Sequence, residues 1–95
     1  MKVKLDEHEI AILFMMKLLG SASSGVLLEV FEDAKIIEYF LGLDILYNLE
    51  SQALIEIDND KDFKITPKGT ELCELLENRL PEEIRQRIKK VINEK

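Results

Sequence analysis

Cysteine and histidine are almost missing from these 95 residues: Cys73 and His8 stand alone of their types. One thiol cannot close an intramolecular disulfide, which fits a reducing compartment. One thiol and one imidazole cannot complete a zinc site, and a nucleophilic Cys73 would need His8 beside it as base. His8 therefore reads as a residue in an exposed first helical turn, and Cys73 as a small core filler beside Leu72 and Leu76. Long apolar runs are missing too. The longest, Ile10 to Met16, is seven residues, whereas a membrane helix needs about 20. There is no basic start followed by an apolar stretch and a small-residue cleavage site. A cytoplasmic protein with no membrane partner is expected.

Other chemistry fails on spacing. Ser21 to Gly25 holds serines and a glycine, but not the Gly-x-x-x-x-Gly-Lys of a phosphate loop. Asp58-x-Asp60-x-Asp62 begins like a calcium loop, yet Phe63 and Gly69 stand where that loop needs Gly and Glu; it reads as a solvated hairpin tip. Glu71, Glu74 and Glu77, spaced by three, read as a solvated helix face rather than a paired-carboxylate site. No metal, no cofactor and no enzymatic activity are expected.

Positive charge is scarce, with 13 Lys and Arg against 19 Asp and Glu and a net charge of −6. It is also uneven. Residues 82–95 carry Arg85, Arg87, Lys89, Lys90 and Lys95 against three glutamates, a net +2, which leaves −8 on the rest. An acidic body weighs against phosphate binding. Arg79, Arg85, Arg87, Lys89 and Lys90 form the one basic cluster, which helix-dipole complementarity and pairs such as Glu83 with Arg87 largely explain; a phosphate-contacting patch is its functional reading.

What is present is a chain that can fold as one domain, with 46% hydrophobic and 34% charged residues. Asp6 to Glu9 opens a first helix that runs to Leu19 and stops at Gly20. Apolar residues cover nearly all of its circumference, so it must be buried on every side, and a partner chain is the expected cover. Ser21 to Gly25 is a short turn, after which Ser23 or Ser24 caps a brief helix over Val26 to Phe31. A third helix is predicted from about Lys35 to Ser51, with Ile36, Tyr39/Phe40, Leu43, Leu46/Tyr47 and Leu49/Glu50 marking its period. Gly42 is expected to bend it. Leu54 to Ile57 and Phe63 to Ile65 form a hairpin, and Thr66-Pro67-Lys68-Gly69 opens a fourth helix reaching about Leu80, with Leu72, Leu75/Leu76 and Leu80 on one face. Pro81 starts a fifth, striped by Ile84, Ile88, Val91 and Ile92.

This order of elements resembles winged helix-turn-helix regulators of the PadR and MarR kind. More specifically, the chain resembles a small bacterial family of winged-helix transcriptional regulators. The resemblance covers nearly the whole chain. It is carried by the leucine-rich first helix, by Tyr39-Phe40 to Leu49 with Ser51 and Leu54-Ile55, by Phe63-Lys64-Ile65-Thr66-Pro67-Lys68-Gly69, and by Leu80-Pro81-Glu82-Glu83-Ile84-Arg85. It implies a mainly α fold with a small β-hairpin, a winged helix over 1–80 and an amphipathic C-terminal helix over 81–95 in the same structural unit. It also implies DNA binding through the third helix with the hairpin as accessory. The residues available for DNA are Lys35, Asn48, Lys61, Lys64 and Lys68. A homodimer is expected, with Ile12, Met15, Met16, Leu19, Ile84, Ile88, Val91 and Ile92 as its interface. The acidic third helix (Glu38, Asp44, Glu50) and the acidic wing keep a second reading beside DNA: a winged helix that contacts another protein.

Overall fold

The computed structural model describes residues 5–36 and 38–94, and of Tyr39 only the backbone; Lys95 lies outside the described residues. Helix α1 spans Glu7–Leu19. Its start is a capping box: the Glu9 amide donates to Asp6 Oδ1 at 2.9 Å, and the Asp6 amide donates to Glu9 Oε1 at 3.2 Å. Its end is Gly20, at φ +80°, whose amide donates to the Met16 carbonyl. Every residue from Ile10 to Met16 is buried. The cover comes from the chain itself, because α3, α4, α5 and two strands all pack on α1. The expected need for a partner chain is thereby corrected. Ile12, Met15 and Met16 are at most 1% exposed without one, since the C-terminal helix folds back onto α1.

A two-residue strand, β1 (Ser21–Ala22), follows where a turn was expected. It is antiparallel to β3, with Ser21 opposite Lys64 and Ala22 opposite Phe63. Two residues are too few to show alternation, and the partner strand lies far along the chain. Helix α2 (Ser24–Asp33) is capped by Ser23, whose hydroxyl accepts from the Val26 amide at 3.2 Å.

Helix α3 covers Tyr39–Ser51, not Lys35 to Ser51. The Lys35 amide donates to the Glu32 carbonyl and the Ile36 amide to the Phe31 carbonyl, with Lys35 at φ +56°. That pair of bonds is a Schellman closure of α2, and it takes Lys35 and Ile36 out of the third helix. The position usually held by glycine is a lysine here, so the helical period reads straight through the stop. The same closure ends α3, with Ala53 at φ +62° and the Leu54 amide donating to the Leu49 carbonyl. Gly42 allows a close contact. A Cβ there would come within 2.7 Å of the Phe31 ring and 3.2 Å of Leu28, so its absence lets α3 lie close on α2.

Strands β2 (Ile55–Ile57) and β3 (Phe63–Ile65) complete a three-stranded sheet in the order β1-β3-β2. Asp58 builds the tip between them: its Oδ1 accepts from the amides of Asp60 and Asp62 at 2.9 and 3.0 Å. Helix α4 is shorter than expected, Pro67–Leu76, and tightens into a 3₁₀ turn over Glu77–Arg79. Helix α5 spans Glu82–Asn93, with Ile88 and Val91 buried and Ile84 and Ile92 half-buried against the common core.

Candidate functional surface

The residues expected to meet DNA do not converge on α3. Lys35 sits in the turn after α2. Asn48 is on α3, but its side-chain amide donates to Glu9 Oε2 of α1 at 3.0 Å, an intramolecular tie rather than a free base-reading group. Between Tyr39 and Ser51 there is no Lys or Arg, so α3 presents only Asp44 and Glu50 as charges. Lys61, Lys64 and Lys68 are all exposed, and each belongs to the hairpin or the helix behind it. Lys61 is at the tip, Lys64 stands opposite Glu56 and Ser21 in the sheet, and Lys68 reaches the Gln52 carbonyl at 3.3 Å.

Thr66 and Gly69 hold that group together. The Thr66 hydroxyl donates toward the Ala53 and Leu54 carbonyls at 2.7 and 3.1 Å, and its oxygen accepts from the Gly69 amide at 3.0 Å. A Cβ on Gly69 would overlap the Leu54 carbonyl oxygen. The start of α4 therefore lies directly on the chain entering β2.

Two of the four basic residues of α5, Arg87 and Lys89, are engaged in the fold. Arg87 donates to the Ala34 carbonyl at 3.2 Å, stapling α5 to the end of α2, and pairs with Glu83 at 3.0 Å. Lys89 lies 6.0 Å above the centre of the Phe14 ring, a cation–π contact. His8 borders a small cavity of about 50 Å³ together with Lys35, Ile84 and Arg87.

Cys73 is fully buried. Burial first, and then the nearby Glu77 carboxylate, push its thiol from 9.0 up to about 12. Lys17 of α1 bonds Glu77 at 3.1 Å and lies 3.7 Å from Glu74, and the Glu77 hydrogen bond raises its pKa against the opposing pull of burial. The thiol is thus held protonated beside an ion pair that ties α1 to the end of α4. Among the described residues, no cluster of three His, Cys, Asp or Glu could hold a metal ion.

Apolar surface is left exposed in places that periodicity assigned to the core. Phe40 is 75% exposed, Tyr47 52% and Leu75 71%. Leu75 points away from the face centred on Cys73, over a groove of about 240 Å³ shared with Lys68, Glu71 and Leu72. Phe40, Asp44, Tyr47 and Ser51 recur at helical spacing on one side of α3. Drawn from its true start at Tyr39, the helix separates this side from the buried side of Gly42, Leu46 and Leu49.

These features define a small, mainly α domain with an open three-stranded sheet and a partly apolar third helix. The chain belongs to the family described as a domain of unknown function, DUF4364, which its residues 8–95 match. No curated protein matches it. Among the described residues, no helix is long and apolar enough to cross a membrane.

Proposed function

We propose that the chain is a winged-helix module of a transcriptional regulator, meeting double-stranded DNA with its hairpin side rather than with α3. The observation that carries this is the third strand. Ser21–Ala22 pairs with β3, so that α1, β1, α2, α3, β2 and β3 follow in chain order around a sheet ordered β1-β3-β2. That order supports a winged helix with β2 and β3 as the wing. The phosphate contacts in this reading are Lys61, Lys64 and Lys68. The module in this reading is non-enzymatic, which is supported by the burial and protonation of its one thiol, a state that makes it a poor nucleophile. It works in the cytoplasm as a homodimer whose contacts lie outside Ile12, Met15, Met16 and Ile88, because those side chains fill the core.

A fluorescence-anisotropy titration with random and promoter duplexes, from low to physiological salt, tests the DNA reading. Weak, salt-sensitive binding supports it; no binding of either duplex at low salt overturns it. The absence of any cation on α3 together with its exposed Phe40 and Tyr47 favours a second reading, a winged helix that contacts a protein and not DNA. Exposed apolar residues grouped on one surface mark such contacts.

A further inference from the structure

We propose that the outer face of α3 and the adjoining edge of the hairpin form a docking site for an amphipathic helix of a partner protein that presents an arginine. The proposal rests on the protein-contact reading and gives that partner a chemistry. Phe40 and Tyr47 stand two turns apart on one side of α3, about 10 Å along the axis. Tyr47 continues the surface onto the sheet: its ring meets that of Phe63 edge-on, with centroids 6.1 Å apart. Phe63 is opposite Ile57, which is 40% exposed. Cross-strand partners share a sheet face, so Phe40, Tyr47 and Ile57 mark one apolar strip from helix to hairpin.

Asp44 is exposed between the two aromatic rings, and no cation pairs with it among the described residues. An acid set between two exposed rings suits one side chain above others. A guanidinium stacks on aromatic faces and forms a bidentate pair with a carboxylate, and the apolar body of the same partner helix covers the rest of the strip. Glu50 on α3 and Asp58, which follows Ile57 in the hairpin tip, are exposed charges of the same sign. A phosphate backbone would meet repulsion on this face, and an acidic peptide would as well.

The probe is a synthetic amphipathic peptide of about 18 residues, long enough to hold a helix when bound. It has leucines at one face and an arginine between them, and is compared with a twin in which glutamate replaces that arginine. A single tryptophan in each peptide reports binding without background, since the protein has none. The arginine peptide is expected to bind at least tenfold more tightly than its twin. Asp44→Lys should reverse that preference, whereas Glu82→Lys on α5, an equal change in net charge, should leave it within twofold. Phe40→Ser should weaken the arginine peptide at least tenfold at a temperature where circular dichroism shows the variant fully folded.

Equal affinity for the two peptides overturns the proposal, and so does an Asp44→Lys variant with unaltered preference. If sedimentation shows that a second copy covers this face, and Phe40→Ser releases it, the occupant is the protein itself and the proposal also fails. Phe40 and Asp44 are separate from Lys61, Lys64 and Lys68. DNA titration of the same variants therefore shows on its own whether the DNA reading survives: a loss of duplex binding by Phe40→Ser would assign the face to nucleic acid.

Discussion

Thr66 and Gly69 show how little room a single position can leave. The hydroxyl of one and the bare Cα of the other bring α4 onto the Leu54 carbonyl. Because the obstacle is backbone, it cannot turn aside as a side chain would. Gly69→Ala should already lower stability, and Gly69→Val should cost about 1–3 kcal/mol, the range for overfilling a packed site; a denaturant midpoint equal to that of the parent would refute this. Cys73 makes a second prediction, in pH. Its folded pKa is raised from 9.0 to about 12, so the folded state keeps a proton that the unfolded chain releases. Its contribution is fully present below pH 9 and is lost as pH rises from 9 toward 12. Lys17, also raised from 10.5, adds its loss only above that value. Unfolding midpoints measured between pH 9 and 10.5 should therefore fall for the parent and stay nearly level for Cys73→Ala, at a lower baseline set by the lost packing. Parallel slopes would show that the thiol does not titrate as described.

At the scale of elements, the ends of helices are harder to read than their interiors. Capping at Asp6, Ser23 and Thr66 is legible because each side chain that caps is a residue type suited to it. The closures at Lys35 and Ala53 are not, because neither is glycine and the sequence carries no other mark of a left-handed residue. The missing mark shifts the expected start of α3 by a turn and puts Lys35 on a helix it never joins. Strand β1 is illegible for a different reason: its extended form comes from β3, not from Ser21 and Ala22 themselves. The left-handed closures can be tested directly. Ala53→Gly should raise stability by about 0.5–1 kcal/mol, since relief of the φ +62° strain exceeds the added freedom of the unfolded chain. A lower denaturant midpoint would mean that Ala53 makes contacts worth more than its strain.

The whole molecule shows why a site is less legible than a core. Ile12, Met15 and Ile88 are recognisable as residues that must be buried, but only the return of α5 onto α1 shows that one chain suffices to bury them. Charge behaves in the same way. The sequence has basic residues at its C-terminal end, yet the structure engages Arg87 and Lys89 in packing and leaves Lys61, Lys64 and Lys68 as the exposed group around the hairpin. Three phosphate contacts, each contributing about −0.9, give a log–log salt slope on the order of −3 per protomer. Charge reversal at Lys64 and Lys68 should weaken binding of all duplexes alike, because phosphate contacts carry no base information. A slope near −8 would reveal a basic surface elsewhere.

Strand β1 has a consequence for the order in which the molecule assembles and opens. Ala22 and Phe63 are joined by about 40 residues of chain, and closing such a loop in an unfolded polypeptide costs on the order of 3 kcal/mol. A two-residue strand returns only a few hydrogen bonds, each worth about 1 kcal/mol net. It therefore docks after α2, α3 and the hairpin have shortened the path between its ends, and it detaches before they do. Native-state amide exchange should show this as protection at whichever of Ser21 and Ala22 donates to β3, lost through small, denaturant-insensitive openings, while Leu13 in α1 exchanges only on global unfolding. Equal protection at the two places would mean that the sheet's edge and the central helix come apart as one unit.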